Sequence, residues 1–178
     1  MDLSWRSGML HLNYPGRGLR CVGLEGMTRV TALECARYFL TKPDREAGDD
    51  ITHLKLQKLC YYAQAWHLAL HNEPLFAGHI EAWTHGPVCV DLWHNYRDYG
   101  ANPIPSPTPD EFDCEALAEE DRVFLDEVWN AYGVYTAKYL EGLTHQERPW
   151  LEARRSGRRD TVIAPDSMRE YYASVTDR

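Results

Sequence analysis

Hydrophobic positions recur at helical spacing in one long stretch of the chain. Between residues 54 and 70 (LKLQKLCYYAQAWHLAL), apolar side chains repeat at three- and four-residue steps, which places them along one side of an α-helix. Further apolar residues widen this face, and a helix that is apolar over most of its circumference lies inside a domain. The pattern predicts a buried central helix over about residues 53–71, with Thr52 as its N-cap and Asn72 and Pro74 at its end.

Capping signatures predict where three other helices begin. Residues 31–34 (TALE), 144–147 (THQE) and 167–170 (SMRE) each place a hydroxyl residue three positions before a glutamate. In a capping box the hydroxyl accepts a hydrogen bond from the glutamate amide, and the carboxylate bonds back to the first residue. The first signature predicts a helix over about residues 32–41, ended by Pro43. The other two predict short helices near the C-terminus.

After the central helix the pattern becomes extended and then helical again. Ile80–Trp83 is typical of a short strand, so we expect a minor strand or hairpin near residues 80–84. Pro87 suits the first position of a following helix, Val88–Tyr99, because the N–H that proline lacks has no partner there in any case. Alternate prolines at positions 103–109 then predict an extended surface loop.

An amphipathic helix is predicted from about Leu117, in the sequence AEEDRVFLDEVWNAYG. The side chains expected to face inward are Val123, Phe124, Val128, Ala131 and Tyr132. The acidic side chains expected to stay in water are Glu119, Glu120, Asp126 and Glu127. Together these segments predict a mainly α, compact single-domain fold of about six or seven helices around the buried central helix, with one minor strand or hairpin.

The composition agrees with one folded domain. Of 178 residues, 44% are hydrophobic and 12% aromatic, which can bury one core but leaves too little for two. Residues 1–26 are rich in glycine and lack a helical period, so we expect a poorly ordered extension before a domain over 27–178, and Met27 is a candidate start. No apolar run approaches the ~18–20 residues of a membrane span, so we expect a cytoplasmic protein.

Charge and cysteine content narrow the classes of function. The formal net charge is −8, which disfavours nucleic-acid binding as the main role, because phosphate contacts require clustered lysine and arginine. An acidic surface instead suits a basic protein partner, which it attracts electrostatically. The five cysteines are scattered without a CxxC motif, so a disulfide framework is not expected.

Two enzyme hypotheses each lack part of the required pattern. His67 and His71 are one helical turn apart, where two imidazoles can share a metal, but position 68 is leucine and no third ligand is fixed by spacing. A thiolate nucleophile at Cys60 or Cys89 requires a lowered pKa, whereas their apolar neighbours favour burial. We therefore expect no metal, no cofactor and no catalytic residue.

Two sequence blocks resemble a known family. LQKLCYYAQAWH at residues 56–67 and EAWTHGPV at 81–88 resemble the Panacea domain of antitoxins, which includes SocA-like and phage GepA-like proteins. The resemblance implies an antitoxin that neutralises a cognate toxin by direct binding in a bacterial or phage toxin–antitoxin system, with the toxin encoded nearby and phage defence as one setting. It leaves a proteolysis adaptor, which delivers a toxin to a protease, as the alternative. An enzyme that depends on a metal or a thiol is a further alternative.

The resemblance also implies a set of partner-binding or family-motif residues. These are Lys55, Gln57, Lys58, Tyr61, Tyr62, Trp66, Trp83, His85, Gly86 and Pro87. The sequence leaves open which of them contact a partner and which only hold the fold. It also leaves open contact with protease machinery and assembly into a homo-oligomer, whereas membrane and direct nucleic-acid binding are not expected.

Overall fold

Seven α-helices and one β-hairpin make up the described part of the chain. The computed structural model describes residues 30–155, 157–158 and 161–176. The helices are α1 (Ala32–Leu40), α2 (His53–His71), α3 (Val90–Tyr96), α4 (Glu119–Tyr132), α5 (Ala137–Thr144), α6 (Arg148–Arg155) and α7 (Pro165–Thr176). Single 3₁₀ turns occupy Arg97–Tyr99 and Cys114–Ala116. The mainly α prediction is confirmed. The predicted extension over residues 1–26 and the candidate start at Met27 lie outside the described residues.

The central helix α2 is buried over nearly its whole length, as predicted. The Thr52 hydroxyl accepts a hydrogen bond from the Lys55 amide at its start, and Asn72 ends it in the left-handed conformation with φ 59°. α2 packs most extensively against α7, and also against α5, α1 and α4. Because partners surround it, even the polar side chains of Gln57 and Lys58 are buried.

The hairpin pairs β1 (Ile80–Trp83) with β2 (Gly86–Cys89) in antiparallel register. The predicted strand is therefore confirmed, but the predicted helix over Val88–Tyr99 is wrong at its start. Pro87 lies inside β2, and α3 begins only at Val90; after Tyr96 the chain continues as a 3₁₀ turn to Tyr99, where the predicted helix ends. The proline fits in this strand because it lies opposite Ala82 in a pair that exchanges no backbone hydrogen bonds. The Ala82 amide donates to the Thr161 carbonyl at 2.8 Å, and the Ala82 carbonyl accepts from Arg154 at 3.4 Å, so no N–H is needed at position 87.

Only the first of the three capping signatures forms a capping box. Thr31 and Glu34 bond reciprocally at the start of α1. Thr144 is instead the last residue of α5, and its hydroxyl donates to the Glu141 carbonyl at 2.8 Å. Ser167 lies inside α7, which begins at Pro165, and its hydroxyl donates to Glu152 at 2.7 Å. The two short helices that these signatures predicted are present as α6 and α7, but neither starts with the predicted capping box.

Helix α4 has the predicted amphipathic arrangement with one exception. Four of the five side chains expected to face inward are buried, namely Phe124, Val128, Ala131 and Tyr132. Val123 is 42% exposed, so its predicted burial is wrong: α4 turns Phe124 rather than Val123 toward the core. None of the helices in the described part of the chain is long and apolar enough to cross a lipid bilayer.

Candidate functional site at the hairpin turn

The buried polar residues of α2 attach the hairpin to the central helix. The side-chain oxygen of Gln57 accepts a hydrogen bond from the Cys89 amide at 2.8 Å, and its nitrogen donates to the Cys89 carbonyl at 3.3 Å. The same nitrogen lies 3.0 Å from Nε2 of His53. One glutamine therefore satisfies both backbone groups at the end of β2, where a buried unpaired amide or carbonyl would be costly.

Lys58 extends from α2 beneath the turn between the two strands. Its side chain is fully buried, and Nζ donates to the Pro87 carbonyl at 2.9 Å. Burial lowers the pKa of Lys58 to about 7, although the nearby Glu141 carboxylate acts in the opposite direction. Because removal from water penalises the charged amine, Lys58 titrates near neutral pH in the folded protein.

Gly86 allows the turn to lie directly on Lys58. Its φ of +95° is a conformation that residues with a side chain rarely adopt. A Cβ atom at this position would lie 2.7 Å from Cε of Lys58 and 2.8 Å from Oγ1 of Thr144. Glycine is therefore required here both by the backbone angle and by the space available.

Glu141 holds the exposed end of the turn. This carboxylate is only 5% exposed, and it accepts hydrogen bonds from Nδ1 of His85 and from Nζ of Lys138, each at 2.9 Å. Burial alone would raise its pKa, but the bonds to Lys138 and His85 outweigh that effect and lower the pKa to about 2. The side chains of His85 and Lys138 themselves are 74% and 82% exposed. We call Lys58, His85, Gly86, Pro87 and Glu141 the hairpin-turn site.

Two aromatic residues support the outer side of this site. The ring of His145 stacks on Trp150 with centroids 4.2 Å apart, and burial lowers the pKa of His145. The indole nitrogen of Trp150 donates to the Trp83 carbonyl at 3.0 Å, at the end of β1. Trp83 in turn donates to the Glu81 carboxylate at 2.6 Å. These contacts attach the end of β1 to α6.

The aromatic motif residues of α2 lie in the core. They are Tyr61, Tyr62 and Trp66, all with no exposed surface. The Tyr62 ring stacks on Tyr132 with centroids 3.8 Å apart, and Trp66 donates to the Tyr132 hydroxyl at 2.8 Å. The buried Glu147 carboxylate accepts from the hydroxyls of Tyr62 at 3.2 Å and Tyr172 at 2.8 Å. This cluster joins α2 to α4 and to the C-terminal helix α7.

The motif residues therefore fall into two groups by exposure. Seven are buried and hold elements together: Gln57, Lys58, Tyr61, Tyr62, Trp66, Gly86 and Pro87. Lys55, Trp83 and His85 reach the surface. Sequence reasoning missed Glu141 and Glu147, because their partners His85 and Tyr62 lie 56 and 85 positions away and no local spacing reveals such pairs.

The geometry does not favour the two enzyme hypotheses. Burial raises the pKa of Cys89 to about 11 and that of Cys60 well above its ordinary value, which is opposite to what a thiolate nucleophile requires. No group of three potential metal ligands occurs among the described residues. Nδ1 of His67 donates to the Glu73 carbonyl at 2.7 Å, and the ring packs against His71 and Phe124.

Comparison with known proteins gives one informative result. The family model for SocA-like antitoxins with a Panacea domain matches residues 56–151, more than half of the chain. The matched segment contains every residue of the hairpin-turn site and most of α2. No curated protein and no solved structure matches the chain significantly. On the strength of the family match, this chain belongs to the SocA-like antitoxins with a Panacea domain.

Proposed function

We propose that this chain neutralises a protein toxin by binding it directly, and that the toxin is the product of an adjacent gene. The family match over residues 56–151 carries the proposal. The burial of seven motif residues supports it, because side chains packed in this way shape a rigid scaffold rather than a reaction centre. The net charge of −8 supports attraction of a basic partner in the cytoplasm.

The first experiment expresses the adjacent open reading frame alone and together with this chain. We expect growth arrest in the first case and normal growth in the second, with both proteins eluting as one complex in size-exclusion chromatography. An unrelated protein of similar size and net charge, expressed in place of this chain, is the control for nonspecific binding. If growth is the same with and without this chain, direct neutralisation is wrong.

The half-life of the adjacent gene product separates neutralisation by binding from delivery to a protease. A binding antitoxin leaves the half-life unchanged or lengthens it, since the complex protects its partner. A proteolysis adaptor shortens the half-life, and the shortening disappears in cells that lack the protease. A pulse-chase measurement with and without this chain decides between the two.

A further inference from the structure

An aromatic groove with one acidic side lies at the end of α4, apart from the hairpin-turn site. It has a volume of about 420 Å³ and lies between the loop of residues 48–50 and the α4–α5 turn. Its apolar wall includes Trp129, Val134 and Tyr135. We call it the α4–α5 groove. Of the ten motif residues, only Lys55 lines it.

The apolar wall of the groove is exposed to solvent, and the tyrosine rings beside it stack on each other. Val134 is 79% exposed, more than any other large apolar side chain in the described part of the chain. Next to it, the rings of Tyr135 and Tyr139 stack with centroids 4.5 Å apart, and Tyr139 is 49% exposed. Thr136 caps α5 by accepting from the Tyr139 amide at 3.2 Å. Rigid, exposed aromatic residues are common anchors for a protein partner.

The floor of the groove is fixed by Lys55 and Gly133. Nζ of Lys55 donates to the Gly133 carbonyl at 2.7 Å and lies 5.6 Å from the ring centre of Trp129. A Cβ atom at Gly133 would lie 2.6 Å from Cδ2 of Trp129, so the indole packs directly on the glycine. The lysine amine is therefore already used within the protein, and its burial lowers its pKa.

The acidic side of the groove is also preformed. The Asp44 carboxylate accepts from the amides of Glu46 and Ala47 at 3.1 Å each, which shapes the loop. Arg45 ties the loop to the carbonyl of Ile104 at 2.8 Å. Asp49 is exposed, and its charge acts on the nearby Lys55 amine, whose pKa it raises against the larger effect of burial. Because the Lys55 amine donates to the Gly133 carbonyl, the Asp49 oxygens can accept hydrogen bonds from a cation of a partner.

We propose that the α4–α5 groove is where the toxin docks, and that it takes an arginine side chain from a basic segment of that protein. This inference rests on the proposed function. A guanidinium group can stack on a partly exposed tyrosine ring of the groove while it donates two hydrogen bonds to the Asp49 carboxylate. A second copy of this chain is a poorer occupant, because two molecules with a net charge of −8 repel each other.

The test measures binding of the purified adjacent gene product to full-length variants by calorimetry. Asp49→Lys removes the acceptor and Val134→Asp disrupts the apolar wall, so each should raise the dissociation constant at least tenfold. Asp98→Lys and Leu151→Asp make the same changes at exposed positions outside the groove and should stay within twofold of wild type. Thermal unfolding of all four variants verifies that they are folded.

The outcomes distinguish the two proposals. If the wild-type chain does not bind the adjacent gene product, the proposed function and this inference fall together. If wild type binds and both groove variants bind within twofold of it, only the groove assignment is overturned.

A photo-crosslinker at position 134 supplies an independent readout. We expect an adduct with an arginine-containing peptide of the adjacent gene product. Replacing that arginine by glutamate should restore part of the affinity lost in Asp49→Lys. Adducts only between two copies of this chain would overturn the inference.

Discussion

A lysine without solvent contact is costly, and Lys58 shows how a folded protein can accommodate one. Its amine is bonded to the Pro87 carbonyl, and the Glu141 carboxylate nearby favours its charge. Burial has the larger effect on the pKa of Lys58, so the amine in the folded protein is close to half-protonated at neutral pH. The burial of Lys58 could not be predicted from its own helix, because Gly86, which packs on it, comes 28 positions later in the chain.

The pKa of Lys58 leads to a prediction about stability as a function of pH. Between pH 7 and about pH 10, the unfolded chain binds a proton at Lys58 that the folded chain does not, so stability due to this residue rises with pH. Relative to Lys58→Met, wild type should gain stability as the pH rises above 7, at a rate that approaches about 1.4 kcal/mol per pH unit above about pH 8. Urea unfolding of both proteins at several pH values measures this difference.

The difference in unfolding free energy between wild type and Lys58→Met cancels the contributions of titratable groups that both proteins share. Burial raises the pKa of Cys60 and Cys89, so deprotonation of these thiols in the unfolded chain lowers the stability of wild type and variant equally above about pH 8.5. Parallel curves for the two proteins would contradict a lowered pKa at Lys58.

At the scale of elements, local signals predicted helices well where the chain makes its own contacts. The caps at Thr31, Thr52 and Asn72 depend on atoms within four positions, and the structure has all three. Pro87 was misplaced because a proline suited to a helix start is equally acceptable in a short strand at a position that needs no N–H donor. Its strand partner Ala82 donates instead to Thr161, which is 74 positions beyond Pro87 and gives no local signal.

The attachment of the hairpin to α2 and α5 leads to a prediction about Gly86. Gly86→Ala should lower the free energy of unfolding by roughly 2–5 kcal/mol, because it adds backbone strain and a clash with Lys58 and Thr144. Gly48→Ala is a matched control, since its φ is +85° but nothing lies within 4 Å of the added Cβ. It should cost only about 1–2 kcal/mol, which is the backbone contribution.

Chemical denaturation of the two variants separates the steric part from the backbone part. Equal losses for Gly86→Ala and Gly48→Ala would show that the turn can move away from Lys58. That result would contradict close packing at the hairpin-turn site.

At the scale of the molecule, the fold was more predictable than the site. The apolar circumference of α2 dictated a helical body around it, and the structure has that body. Exposure of the motif residues could not be predicted, because it depends on which elements cover α2. Lys55 and Lys58 are three positions apart, yet one lines an open groove and the other is fully buried.

The acidic face of α4 leads to a prediction about association. Reversing Glu119, Glu120 and Glu127 to lysine should slow binding to the adjacent gene product and weaken its dependence on salt, because attraction between opposite charges is lost. Asp126 is left unchanged, since it accepts a hydrogen bond from Tyr38 at 2.9 Å and pairs with Lys42. Stopped-flow mixing at two ionic strengths measures both effects.

The control for this prediction carries the same change of net charge at other exposed positions. It replaces Glu73, Asp98 and Asp110 by lysine. If both triple variants associate at the same rate, overall charge rather than the α4 face directs the encounter.

The Glu147 carboxylate links the buried core to α7. One of its hydroxyl donors, Tyr172, belongs to α7, the last helix in the described part of the chain. Until α7 docks, this buried carboxylate lacks the Tyr172 donor, and a buried charge with an unmade hydrogen bond is costly. Closure of the core is therefore coupled to the docking of α7, so the two are expected to form together.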